Sequence, residues 1–541
     1  PASASANVEV VTSWENWKRP GRILSADRSD GWRVTSYAPP AGEEQYAIVE
    51  DGVWLTDPNI GTTAFKDGTP AGAAKTEVTW VDVPDCTVPA LRVDSANGSA
   101  DGTATAHATF LTSNAHALLD PNSIRVTDDA GKAVGATFTA DSKKGTIALN
   151  FQGLAQGKHR LTLNANDASG KPADHAIATV WIEAAPFDWR DAMIYQIMVD
   201  RYRGPDGALA EPATPASRAG GTIAGVTSDL DRIQSLGFNT VWLSPLYSNP
   251  DGTYLGADGR QYSSYHGYWP TDSRGIEALF GTEADVDTLI AAAHSKSLRV
   301  IFDVVPNHVH QDNPYAKAHL KDVGWFNNPD GKCICGSSCD WSTHIQDCWF
   351  APYLPDLDWR NSQVADDISS DVAWWIDRFD ADGIRIDAVP MMPRAANRRI
   401  SEKIRTKYDH PGNETFLLGE NYVDSSGYDL LRYDLGPNGL SSEFHFPLMW
   451  ALRDAVAQET APMTEVQAAI ETGEQSWAGS GAIMSLIIGN HDVARFSTVS
   501  SGDVNGDTWI AAPQSTQLLV YEKQRLALSV IYTLPGAPTV Y

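Results

Sequence analysis

Residues 299–308 read Arg-Val-Ile-Phe-Asp-Val-Val-Pro-Asn-His. The run opens apolar, without helical spacing, and closes on polar side chains. That is the form of a fully buried strand that delivers functional groups at its end. Seven other, shorter runs between residue 193 and the end of the chain share its texture. They are Met193–Met198, Thr240–Leu243, Gly383–Ile386, Phe416–Leu418, Glu443–Phe446, Ile483–Ile488 and Ala537–Tyr541. Helix-compatible stretches lie between them, among them Glu283–Ser297, Val364–Phe379, Arg398–Tyr408 and Leu518–Thr533. Eight strands alternating with helices predict a (β/α)8 barrel over residues 186–541. The Gly-, Asp- and Cys-containing stretch 309–360 follows the third strand and reads as an inserted subdomain on the barrel face that carries the loops.

Upstream the texture changes. Residues 1–85 are rich in Trp, Val, Thr and Gly, with turn signals at Asp51-Gly52 and Asp57-Pro58. Residues 86–185 hold alternating runs such as Ser123–Thr127, Gly145–Leu149, His159–Leu163 and Ala178–Ile182. Both regions are expected to be β-sandwich domains, the second Ig-like.

Lys plus Arg number 41 and Asp plus Glu 68 among 541 residues, a formal net charge of −27. With no basic stripe, the chain is not expected to bind nucleic acid or an anionic membrane surface. No run of 18 apolar residues exists to span a bilayer. Four of five cysteines cluster as Cys333, Cys335, Cys339 and Cys348, and Cys86 stands apart. The cluster fits two disulfides or a zinc knot. It lacks a Cys-x-x-Cys pair and a nearby His pair, which favours disulfides, with Cys333 and Cys335 each bonding a later cysteine. The start Pro-Ala-Ser-Ala-Ser-Ala, without initiator Met, fits a mature exported protein, secreted or periplasmic.

Polar residues at the ends of barrel strands are where catalysis is expected. The third strand leads to Asp303, Asn307 and His308, the fourth to Arg385 and Asp387, the fifth to Glu420, and the seventh to His491 and Asp492. Paired carboxylates are what glycoside hydrolysis requires: one attacks the anomeric carbon or activates water, and the other protonates the leaving oxygen. Arg385 would keep Asp387 ionised, while partial burial would raise Glu420 into the range of a general acid. Asp492 could bind sugar hydroxyls and stabilise positive charge.

These segments taken together resemble the α-amylase family of retaining glycoside hydrolases, family thirteen. The matching stretches, in order, are Gly237–Pro245, His266-Gly-Tyr-Trp269, Asp303–His308, Leu354-Pro-Asp-Leu-Asp358, Gly383–Asp387, Gly419-Glu420 and Asn490-His-Asp492. The resemblance covers about residues 188–541. It implies Asp387 as nucleophile, Glu420 as general acid/base and Asp492 as transition-state stabiliser. It also implies that Arg385, His308 and His491 contact the sugar in the reacting subsite, with Tyr268 stacked on it and Trp269 beside a neighbouring one. Asn307 and Asp356 would hold a structural Ca²⁺. The implied substrate is an α-glucan: starch, maltooligosaccharides or cyclodextrins.

Two departures stand out. Pro390 and Met391 occupy positions where many relatives carry Lys-His, and the chain ends on the eighth strand, where relatives continue into a carboxy-terminal β-domain. That domain is expected to be absent or truncated. The amino-terminal β-domain also resembles those of cyclomaltodextrinases and neopullulanases, which leaves such a hydrolase, or a glucanotransferase, as an alternative. A non-catalytic glucan-binding protein is the remote one. Trp14, Trp17, Trp32 and Trp54 read either as a glucan platform or as core, and Asp251 and Asp258 as a second calcium loop or a solvated turn.

Overall fold

The computed structural model describes residues 7–24, 33–68, 74–256, 259–503 and 514–541. Trp32 and Asp258 lie outside them. The eight expected strands form one parallel sheet: Ile194–Ile197, Thr240–Leu243, Arg299–Val304, Gly383–Ile386, Phe416–Gly419, Ser442–Glu443, Ser485–Leu486 and Ala537–Val540. Their spatial order runs sixth, fifth, fourth, third, second, first, eighth, seventh. A parallel bridge between Phe444 and Ser485 joins the two ends, so the sheet closes into a barrel.

The sixth and seventh strands fall furthest short of their sequence pattern. The sixth stops at Glu443 because a helix, Phe446–Leu452, begins immediately after it. Pro447 stands in that helix's first turn, and the ring of His445 accepts the Leu448 N–H at 3.2 Å. The seventh keeps only Ser485–Leu486 of the run 483–488.

The barrel interior holds Trp242, Phe416 and Phe444, each under 2% exposed, while Phe302, equally buried, faces outward against Trp375 and Phe379. Burying a side chain of that size contributes about 1.5–3 kcal/mol. The helix Ser362–Phe379 shows how the outer ring is held. Asn361 caps it through the Gln363 N–H, and Val364, Ile368, Val372, Trp375, Ile376 and Phe379 bury one stripe against the sheet. It ends at Asp380, in left-handed conformation.

Between the third strand and that helix lie the short helices Pro314–His319 and Trp341–His344. Disulfides join Cys333 to Cys339 and Cys335 to Cys348. A metal-like grouping of Cys333, Cys339 and His344 is therefore a bonded pair of sulfurs beside a histidine. Cys86 is free and exposed.

The amino-terminal residues form a six-stranded antiparallel sheet. Among the described residues this one sheet, rather than two packed sheets, carries small apolar clusters: Val8, Val10 and Leu24 in one, Val11, Ala47, Val49 and Val78 in the other. Half-buried Trp17 and Trp54 pack against the second cluster. One reason for the missing layer is that the barrel supplies it. Arg399, from the helix Arg394–Tyr408, bonds Glu43 and stacks 4.7 Å over Trp80.

The next unit has antiparallel sheets of four and three strands that enclose one core containing Phe110, Ile147, Phe151, Leu161 and Val180. Its strand Gly157–Asn164 places Lys158 and Arg160 on one face, toward the barrel. Lys158 reaches Asp380 and Asp382, each at 2.8 Å, and Arg160 reaches Asp380 at 3.3 Å. His294 bonds Asp382 at 2.9 Å, and Arg299 pairs with Glu183 beneath the ring of Trp181.

Candidate active site

The third and fourth strands pair so that Asp303 stands opposite Arg385. Paired residues on adjacent strands send their side chains to the same side, so the two meet at the barrel rim. Arg385 is 1% exposed. Its Nη1 donates to Asp303 at 2.8 Å and to Asp387 at 2.7 Å, and its Nη2 lies 3.7 Å from Glu420. One buried cation thus faces three carboxyl groups and holds two of them at contact distance.

Glu420, the third, is the one left weakly paired. Its Oε2 accepts the Ala388 N–H at 3.3 Å. Burial, opposed by Arg385 and reinforced by Asp387 and Asp492, pushes its carboxyl up to about 8. That shift favours a protonated Glu420 at neutral pH.

Ala388, next after Asp387, is a non-glycine residue in left-handed conformation, φ 54° and ψ 40°. That costs about 1–2 kcal/mol. The turn aims its N–H at Glu420 and so ties the end of the fourth strand to the end of the fifth.

A directed chain of hydrogen bonds backs the pair. Gln196 Nε2 donates to His491 Nδ1 at 2.7 Å. His491 Nε2 then carries the proton and donates to the Tyr268 hydroxyl at 2.9 Å, and that hydroxyl donates to Asp303 Oδ2 at 2.8 Å. Trp242 Nε1 donates to the same oxygen at 3.1 Å. Burial, helped by Arg385, lowers His491 to about 3, so the ring is neutral and its tautomer is set by Gln196. The rings of Tyr268 and His491 lie parallel, 5.5 Å apart.

Asp492 is held by Asn490, whose amide oxygen accepts its N–H at 3.0 Å. The Asp492 side chain is 42% exposed, so the site opens to solvent there. Tyr422 is 48% exposed and packs on Phe446 and Trp450. Trp269 is mostly buried, between His266 and Tyr254.

His308 Nε2 donates to the Tyr268 carbonyl at 3.1 Å, and its ring meets Phe350 edge-on at 5.2 Å. Asn307, beside it, turns away from the carboxyl cluster. Its amide meets Asp356 at 3.0 Å, and Asn327 meets the other oxygen of Asp356 at 2.8 Å. Asp356 is buried and has no cationic partner among the described residues. Either amide, turned about, would offer an oxygen beside that carboxylate.

The structure therefore brings Asp387, Glu420, Arg385, Tyr268, His491, Asp492 and His308 to one rim and places Asn307 with Asp356 next to it. Sequence reasoning missed Gln196, Trp242, Asn327 and Ala388. The first two sit inside apolar strand runs, where a lone polar atom gives no periodic signal.

Comparison with known proteins bears on the barrel as a whole. Residues 196–541 match the family model described as alpha amylase, catalytic domain. Alpha-amylase 1 of Schizosaccharomyces pombe is 30% identical over 358 residues, 63% of this chain and 53% of its own length. The alpha-amylase of Saccharomycopsis fibuligera is 32% identical over 324 residues, 58% of this chain and 61% of its own length. The chain thus spans between about half and two thirds of these relatives. Among solved structures, the alpha-amylase from Geobacillus thermoleovorans, complexed with acarbose, superposes with a TM-score of 0.54 at 28% identity. That match covers 66% of this chain and 71% of the other. With the family model spanning well over half of its residues, this chain belongs to the α-amylase family of glycoside hydrolases.

Proposed function

We propose that this chain hydrolyses α-1,4-glucosidic bonds of starch or maltooligosaccharides by retaining double displacement. The observation that carries the reading is the sharing of one guanidinium between Asp387, bonded to it at 2.7 Å, and Glu420, left at 3.7 Å. Asp387, gripped by Arg385, is the nucleophile and attacks the anomeric carbon. Glu420, protonated up to about pH 8, gives its proton to the departing glycosidic oxygen. The glucosyl unit is then bonded to Asp387 in the β configuration. Water, deprotonated by Glu420, attacks from the face the leaving group vacated and restores the α configuration.

Asp492 faces the opening and stabilises positive charge at the reacting carbon. Neutral His491, His308 and the phenol of Tyr268 bind the sugar in the reacting subsite. The hydrogen-bond chain from Gln196 to Asp303 fixes His491 and the Tyr268 phenol, and the Tyr268 carbonyl fixes His308. The exposure of Asp492 and Tyr422 favours an open cleft, hence action on long chains, over a capped pocket.

Calcium would be held by Asp356 and Asn307, with Asn327 as a third donor. Oxygen donors around a buried carboxylate suit a hard cation. Its contribution there is structural, joining the inserted stretch to the third strand. The two amino-terminal β units serve as supports docked on the barrel, and the two disulfides favour an exported protein.

A time course of products from soluble starch tests the reading. Mixed oligosaccharides with an early fall in viscosity support it. A single small product, with β-cyclodextrin cut faster than starch, overturns it.

A further inference from the structure

Trp341 is 42% exposed and belongs to none of the buried apolar clusters among the described residues. Its surroundings nevertheless fix it with unusual thoroughness. It opens the helix Trp341–His344, a single turn that would not persist by itself in water. Asp340 caps that turn fourfold, accepting from the Ser342 N–H at 3.1 Å and hydroxyl at 2.6 Å and from the Thr343 N–H at 3.1 Å and hydroxyl at 2.7 Å. Cys339 and Cys348 flank the turn, and both are in disulfides, to Cys333 and Cys335. Gly336, inside the stapled loop, has φ +69°, and a Cβ there would lie 2.7 Å from the indole Nε1. The glycine lets the edge of the indole lie flat along the loop.

The direction in which this residue is held matters as much as its rigidity. Trp341 contacts Phe350 with ring centroids 5.8 Å apart, and Phe350 contacts His308 at 5.2 Å. A chain of aromatic contacts, edge-on and then tilted, therefore leads from His308 at the rim to an exposed indole two contacts out. Flat apolar faces that keep a polar edge suit the C–H face of a pyranose ring. An immobilised one loses little entropy when it binds.

We propose that Trp341 is a distal subsite, stacking on a glucose unit of the bound α-glucan beyond the reacting one and so setting preference for longer chains. The proposal rests on the hydrolase reading above.

The test compares kcat/KM on maltoheptaose and maltotriose for the parent, Trp341→Ala and Trp341→Phe. Loss of the indole is expected to lower the maltoheptaose value about tenfold, against about twofold or less for maltotriose. Trp341→Phe should recover most of the difference. Equal losses on both sugars, or no loss on maltoheptaose, overturn the proposal. If the parent cleaves neither sugar, the hydrolase reading fails separately. Calorimetric binding of maltoheptaose to Asp387→Asn then still reads the subsite: adding Trp341→Ala should weaken Kd about tenfold, and an unchanged Kd overturns it.

Discussion

Replacing Lys158 by Met removes the cation at the centre of the contact between the second β unit and the barrel. Lys158 is 5% exposed, as is Asp382, and it bonds both Asp380 and Asp382 at 2.8 Å. In the variant Asp380 keeps Arg160 at 3.3 Å. Asp382 keeps only His294 at 2.9 Å and the Val300 N–H at 2.8 Å. Breaking a buried pair from one side costs about 3–5 kcal/mol, and the partner left to Asp380 places this case toward the lower end. Urea unfolding at pH 7, read at its first transition, measures the loss. Lys158→Met/Asp382→Asn should recover at least half, since it removes the stranded charge too. The pH dependence gives a second check. Asp382 is held well below the usual carboxylate range against its burial, by Lys158 and His294. A folded-state value below the unfolded one contributes stability that is present above about pH 4 and lost as pH falls. The gap between parent and variant should therefore be full at neutral pH and narrow in acid. A loss under about 1 kcal/mol, the worth of an exposed pair, refutes the reasoning.

Four further outcomes are expected. Asp387→Asn should lower turnover by more than about a thousandfold while maltooligosaccharides still bind by calorimetry; substantial residual turnover removes it as nucleophile. The kcat/KM profile of the parent should fall as pH rises through about 8, because Glu420 must hold its proton, and Glu420→Gln should abolish that limb on substrates with activated leaving groups. Glu443 is fully buried with no cationic partner among the described residues, and burial, reinforced by Asp434 and Glu420, raises it well above the ordinary value. The stability it contributes is complete below the unfolded value and lost as pH rises, so Glu443→Gln should gain on the parent in thermal melts as pH increases; a gap independent of pH contradicts this. Chelation should lower the melting temperature of the parent and leave Asp356→Ala unmoved, whereas equal shifts in both place calcium elsewhere.

The barrel was legible because its strands are buried on both faces. Apolar runs such as Val300–Phe302 cannot be surface, and their polar ends mark the rim. Legibility failed where local chemistry overrode pattern. Glu443–Phe446 alternates like a strand, yet Pro447 and a histidine cap start a helix inside it. The helix expected from Arg398 begins at Arg394, directly after Pro393. At the site, the acids and histidines came from motifs at strand ends. Gln196 and Trp242 have no such marker, because their role exists only after the first, second and seventh strands have been brought together. The left-handed Ala388 is invisible for another reason: alanine carries no sequence signal for positive φ. The first β unit was misread as two-layered because its second layer is supplied by a helix more than three hundred residues away, a distance that no local pattern reports.

Lys158 and Asp382 are 224 residues apart. During synthesis the second β unit emerges long before the fourth barrel strand exists, so Lys158 and Arg160 spend that interval facing water. Their docking is a late, long-range closure that waits on nearly half the chain. The second β unit has a core of its own and can form early, yet it gains its final rigidity only when Phe379–Asp382 is in place. The order of the chain therefore makes the supports first and fastens them last.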